Sequence, residues 1–192
     1  WGIKLGSNPA LQVKLPPPSN PRTRRLSPSD HEKLRQALAR TRSPFVAAAI
    51  DLALHTGMRR GELLAARWSD LDMEQRTLRL AMTKNGHPRT IPLAPEAMET
   101  IKGLRAMAVG ERILPISANA LRLAWERLKR RAGIEDLRFH DLRHEAISRL
   151  FEKGLNVPEV AVMSGHRDPR MLFRYTHPRP EDIARKLAKS SG

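Results

Sequence analysis

Residues 76–94 read RTLRLAMTKNGHPRTIPLA, and this stretch decides the fold class. RTLRLAM (76–82) and RTIPLA (89–94) alternate apolar and polar residues, the two-residue period of a half-buried strand. Between them, Asn85-Gly86 is a strong hairpin signal, because both positions tolerate the positive φ of a tight turn. A third strand is expected near Trp68–Asp72. Outward from this hairpin the period changes. SPFVAAAIDLALHTGM (43–58) is apolar almost all round, which predicts a helix at the centre of the core. Ahead of it, Ser27-Pro28-Ser29-Asp30 reads as an N-cap, a proline at the first helical position and acid in the first turn. Leu34, Ala37 and Leu38 give that helix its apolar stripe. A short helix GELLAARW (61–68) follows the central one. Further helices are expected over 95–107, 117–132, 140–153, 157–164, 168–175 and 180–189, with Gly133 and Gly154 as terminating glycines. The fold class is mainly α with a small antiparallel β-sheet (α+β).

The 192 residues carry a formal net charge of +15, far more than solubility requires. A polyanionic partner follows, nucleic acid most simply and an anionic membrane as the weaker option. With no cysteine, disulfides, thiolate metal sites and cysteine nucleophiles are excluded. No window approaches 18 uninterrupted apolar residues and no secretion signal is visible, so a cytoplasmic protein is expected. The chain begins Trp1-Gly2-Ile3 and is expected to be a piece of something longer. Residues 1–26 include Pro16-Pro17-Pro18 and end in RTRRL, the composition of an extended basic linker. The folded domain is expected to span 27–192.

Several polar constellations invite chemistry. In HTGMRRGEL (55–63), Arg59 heads a helix whose dipole it opposes, a placement that makes sense if an anion binds there. Glu62, three residues on, can hold an arginine; a plain i,i+3 ion pair on a solvated helix start explains the same residues. Lys84 sits in TKNGHPR (83–89) at the hairpin tip, where most lysines are simply solvated. In HDLRH (140–144), His140, Arg143 and His144 share one helix face. A histidine pair at i,i+4 can bind zinc, yet Arg143 projects from nearly the same face, and a permanent cation beside a divalent metal is costly. The face suits an oxyanion: a guanidinium clamps a phosphate bidentately and a histidine moves a proton. His166 follows Gly165, and Tyr175, the one tyrosine in the chain, stands beside Arg174 near the C-terminus.

In order, these residues read Arg, Glu, Lys, His-x-x-Arg, Gly-His, Tyr. That ordered set, in TGMRRGEL, MTKNGHPRTIPL, HDLRHEAISRLFEKG, VMSGHRD and RYTHP, resembles the tyrosine recombinases of the phage-integrase family, over roughly residues 27–187. RTRRLSPSD is similar to the interdomain linker of phage integrases and shufflon-type recombinases. The resemblance implies a site-specific DNA recombinase that cuts and rejoins double-stranded DNA through a 3′-phosphotyrosyl intermediate. It implies Tyr175 as nucleophile, Arg59 and Arg143 as phosphate clamps, His140 as proton acceptor and Lys84 as proton donor to the leaving oxygen. It further implies His166 as a phosphate ligand and Glu62 as support for the arginines, with no cofactor and no metal. The surrounding cations are expected to lower the cost of the phenolate. His144 would have a packing role, and Arg174 and His177 are left unassigned. The resemblance implies an N-terminal DNA-clamping domain as well, which is expected to lie outside this chain. A homo-tetramer on two DNA sites is implied, the free chain being a monomer in a bacterial or phage-infected cytoplasm. PEDIARKLA (180–188), with Ile183 and Leu187 as anchors, could pack in cis or on a neighbour. Other functions weighed are a non-catalytic DNA-binding module, a type IB topoisomerase-like relaxation activity, and a metallopeptidase with zinc on His140 and His144.

Overall fold

The computed structural model describes residues 22, 24–81, 88–176 and 180–189. Its helices are α1 (Pro28–Ala39), α2 (Pro44–Thr56), α3 (Arg60–Ala65), α4 (Pro95–Arg105), α5 (Ala118–Ala132), α6 (Asp141–Glu152), α7 (Val157–Ser164), α8 (Arg170–Phe173) and α9 (Pro180–Lys189). Strands β1 (Leu71–Asp72), β2 (Thr77–Leu80) and β3 (Arg89–Pro92) form one antiparallel sheet in the order β1-β2-β3. The α+β class and the site of the third strand agree with the sequence reading. The segment expected as the hairpin tip, with Lys84, Asn85 and Gly86, lies outside the described residues, as do His177 and all of residues 1–21.

Local chemistry fixes the helix ends. The Ser27 hydroxyl accepts from the Asp30 amide at 3.0 Å, and the Asp30 carboxylate accepts from the Ser27 amide at 2.9 Å. This reciprocal cap satisfies backbone donors that a helix start leaves orphaned. Asn156 and Glu159 repeat the device at α7. The central helix α2 buries Val46, Ala49, Ile50, Leu52 and Ala53 and packs against α4 and α6. A fully buried side chain such as Ile50 contributes roughly 1.5–3 kcal/mol. Helix α2 stops at Gly57, whose φ of 64° is the left-handed conformation that glycine adopts without strain. In the sheet, Leu78 pairs with Ile91 and Leu80 with Arg89; Leu78, Leu80 and Ile91 enter the core.

Two helices are shorter than the sequence predicts, and the packed region begins earlier. Helix α3 ends at Ala65, because Arg67 forms an antiparallel bridge with Arg112 and Trp68 enters a 3-10 turn beneath the Arg105 guanidinium, 4.8 Å from its ring. Helix α8 keeps only four residues; Pro169 precedes it and Arg174-Tyr175 already form a turn. Packing also starts ahead of Ser27. Leu26 is buried in the core. The Arg22 guanidinium donates to Asp141 at 3.0 Å and to Asp136 at 2.8 Å, and Arg25 donates to Glu145 at 3.1 Å. The basic end of the expected linker is thus strapped to α6 and the loop before it.

Candidate active site

The starts of α3 and α6, strand β3, and the segment from α7 onward converge on one cavity of about 890 Å³. Its walls include Arg59, His140, Arg143, His166 and Tyr175, drawn from residues far apart in sequence. Arg59 is the N-cap of α3, and Glu62 folds back to it. The carboxylate accepts from the Arg59 amide at 2.8 Å and from its guanidinium at 3.1 Å. Glu62 is only 3% exposed. Burial pushes its carboxyl pKa up, but the bonds from Arg89 and from the Arg59 backbone outweigh that and leave it at about 2. It therefore stays charged and holds its partners at any physiological pH.

Arg143 is buried at 4% exposure. It donates to the Gly57 carbonyl at 2.5 Å and the Ser164 carbonyl at 2.6 Å, tying the end of α2 to the end of α7. The left-handed turn at Gly57 aims that carbonyl at it. Burial first, then the nearby Arg59, pull the Arg143 guanidinium down to about 10. A cation so destabilised gains from any anion that enters the cavity. His140 caps α6 rather than lying within it, with helical backbone angles. Burial and then Arg143 lower its pKa. His166 follows the left-handed Gly165, its ring held by the Ser164 hydroxyl at 2.7 Å; burial and then Arg143 push it down to about 4.

Tyr175 leans on the turn after α8 through the bond from its amide to the Leu172 carbonyl at 2.9 Å. Leu172 is fully buried, whereas Met171 and Phe173 beside it are exposed, so one side chain anchors this short segment. The phenol stacks on the His144 ring at 5.7 Å and hydrogen-bonds its Nδ1. His144 in turn meets His140 edge-on at 5.2 Å. The Arg174 guanidinium lies 5.2 Å from the phenol ring, and it donates to the Arg22 carbonyl of the docked strap. The cations act on the phenol in the expected direction, but burial opposes them. Burial raises the phenol pKa by more than Arg174 and Arg143 lower it, so the net shift is upward. The cations ease ionisation only against a larger desolvation cost.

Comparison with known proteins gives the arrangement its context. The phage integrase family signature matches residues 24–182. The chain belongs to the phage integrase family. It is 42% identical over 188 residues to the shufflon-specific DNA recombinase of Escherichia coli, covering 97% of this chain and 48% of that protein. The integrase of Salmonella phage P22 is 28% identical, with 89% and 48% covered. The chain thus spans about half the length of these curated relatives. Among solved structures, a lambda integrase dimer bound to a COC′ core site superposes with a TM-score of 0.66 at 26% identity, over 81% of this chain and 48% of that one. The catalytic domain of bacteriophage HP1 integrase matches in fold, with a TM-score of 0.68 at 23% identity over 85% and 93%.

Within this phage integrase domain, Arg59, His140, Arg143, His166 and Tyr175 share the cavity and Glu62 backs it, while Lys84 lies outside the described residues. Two neighbours were not among the expected site residues. His144 was assigned to packing, yet it is the partner of the Tyr175 hydroxyl. Arg89 carried no assignment, yet it lines the cavity and binds Glu62. Its signal was available: it shares the inward face of β3 with Ile91, and an arginine on an inward face needs a buried anion.

The histidines make stability depend on pH. His144 and His166 sit at about 4 when folded, against about 6.5 unfolded. Between those values the unfolded chain binds more protons, so stability falls as pH drops. Glu62 and the other depressed carboxylates act in the same direction at lower pH. Calorimetry is expected to give a lower Tm at pH 4.5 than at pH 7, with inorganic phosphate narrowing the gap by favouring charged histidines. A Tm that is flat or rises on acidification contradicts the buried, neutral histidines.

Proposed function

We propose that this chain carries the cutting and rejoining centre of a site-specific DNA recombinase, with double-stranded DNA as substrate. The reading rests above all on the convergence of Arg59, His140, Arg143, His166 and Tyr175 on one cavity. The names of its relatives support it, a DNA recombinase and a lambda integrase bound to a core site.

In the proposed reaction the Tyr175 oxygen attacks a scissile phosphorus. A bond from the phenol oxygen to phosphorus forms and the bond to the 5′ oxygen breaks, leaving the 3′ phosphate on the tyrosine and a free 5′ hydroxyl. The covalent link keeps the energy of the broken diester, so rejoining needs no nucleotide cofactor. Arg59 and Arg143 hold the non-bridging oxygens as their charge builds. A guanidinium has five N–H donors; carbonyls engage two on Arg143, and the rest are for phosphate. His144, weakly basic, keeps the hydroxyl until the phosphate arrives, and His140 then takes the proton. The incoming negative charge offsets Arg143 and Arg59, the Coulombic part of what depresses His140, and so raises its basicity. His166 bonds the phosphate, and Lys84 protonates the departing 5′ oxygen.

Residues 1–26 act as linker to a DNA-clamping domain of the longer protein, and 27–192 as the catalytic domain. It works as a homo-tetramer on two DNA sites and as a monomer when free. The test is a nicked suicide duplex, with randomised core positions, incubated with the longest natural protein carrying this chain. A covalent adduct is expected; its absence across the library counts against the reading. Binding is also expected to be strongly salt-dependent, because +15 of charge acts through released counterions. For about four neutralised phosphates, affinity falls on the order of 10²-fold between about 50 and 200 mM salt. Fluorescence anisotropy measures this, and a flat salt profile contradicts phosphate-led binding.

A further inference from the structure

Arg89 stands where three parts of the cavity meet. From β3 its two terminal nitrogens donate to both oxygens of Glu62, at 2.8 and 2.9 Å. The same Glu62 carboxylate holds the Arg59 guanidinium and amide. On its other side the Arg89 guanidinium lies against the turn between α7 and His166. One terminal nitrogen is 3.5 Å from the Met163 carbonyl. A Cβ added to Gly165 would lie 2.8 Å from the Arg89 central carbon, and Gly165 has φ 70°. Glycine is thus needed there twice over, for its backbone conformation and for the approach of Arg89.

We infer that Arg89 is a positioning residue for the anion site, which sets Arg59 through Glu62 and His166 through Gly165. It acts through these groups rather than by touching the reacting atoms. Several observations support this over a passive ion pair. The Arg89 side chain is 14% exposed and that of Glu62 is 2% exposed, so the pair is sheltered from the screening that makes surface pairs weak. The two-pronged geometry is specific to a guanidinium; an ammonium offers a point charge and no fork. One carboxylate between two guanidiniums also explains the order of the assembly. Glu62 cannot relax toward solvent, so the Arg59 N-cap keeps a fixed direction.

The role rests on the recombinase reading for its purpose, but its test does not need DNA. Inorganic phosphate is titrated into the 192-residue chain, with binding followed by ¹⁵N shifts of the arginine side chains from pH 4 to 8. Arg89→Lys is expected to weaken phosphate binding on the order of 10-fold, and Arg89→Gln on the order of 10- to 100-fold. In both variants the pH below which binding is lost moves upward. Glu62 then loses its main stabilising partner, keeps its burial, and takes up a proton that releases Arg59. A passive structural arginine would lower Tm and leave affinity and pH profile unmoved. Arg89→Gln is the variant at risk of misfolding, so Arg89→Lys and a measurement on the wild type stand beside it. In the wild type the Glu62 carboxyl ¹³C shift stays flat through the ordinary carboxylate range. Wild-type phosphate affinity and pH profile in the variants overturn the inference, as does ordinary titration of Glu62 or absence of saturable phosphate binding. The suicide-duplex assay separates this from the functional reading. No adduct with the Arg89 effects intact sinks the recombinase assignment alone; an adduct with unaffected variants sinks Arg89 alone.

Discussion

Tyr175→Phe abolishes covalent adduct formation on a suicide duplex while DNA affinity stays within about twofold of wild type, because the lost group acts only in bond formation. The substitution is mild in structural terms. The ring keeps its stacking on His144 and its place beside Arg174, and the backbone bond to Leu172 is untouched. What goes is one hydrogen bond to His144 Nδ1, worth about 1 kcal/mol net. The expected outcome is a folded, DNA-binding, chemically silent protein. Adduct at wild-type level in this variant would mean that another side chain is the nucleophile.

Arg143→Lys gives the second large effect. Lysine keeps the charge and loses the planar fork that spans the Gly57 and Ser164 carbonyls and still has donors left for phosphate. Single-turnover cleavage is expected to fall on the order of 10²–10³-fold, the range seen when one preorganised donor to a charged transition state is removed. Stability falls too, since a buried carbonyl left without a donor costs about 1–3 kcal/mol. Cleavage and thermal melting measured together separate the two effects. A variant that melts lower but cleaves at the wild-type rate would reduce Arg143 to a brace between α2 and α7.

Much of this fold could be read where side-chain chemistry is local. Ser27 with Asp30, Gly133, and the bounds of α7 follow from caps and glycines that act within a few residues. Helices α3 and α8 ran shorter than their patterns, because what ends them is remote: the bridge from Arg67 to Arg112, and the turn that carries Tyr175. The site divides in the same way. Arg59, Glu62, His140, Arg143, His166 and Tyr175 were legible as an ordered set. Arg89 could be read only as an inward-facing cation in need of an anion; which anion it meets depends on Glu62, 27 residues away. His144 was visible as a neighbour of His140, but its pairing with Tyr175 depends on how α8 folds back. The cations beside the phenol were countable in the sequence and do act as expected; the burial that outweighs them was not countable.

The most direct test of the central claim is the identity and polarity of the covalent link. The trapped adduct is digested with nuclease and trypsin, and the nucleotide-bearing peptide is fragmented in a mass spectrometer. The account predicts a single modified peptide, YTHPRPEDIAR (175–185), with the nucleotide on Tyr175 through its 3′ phosphate and a free 5′ hydroxyl on the released strand. A nucleotide on any other residue, or a 5′-phosphate link to Tyr175, would contradict it.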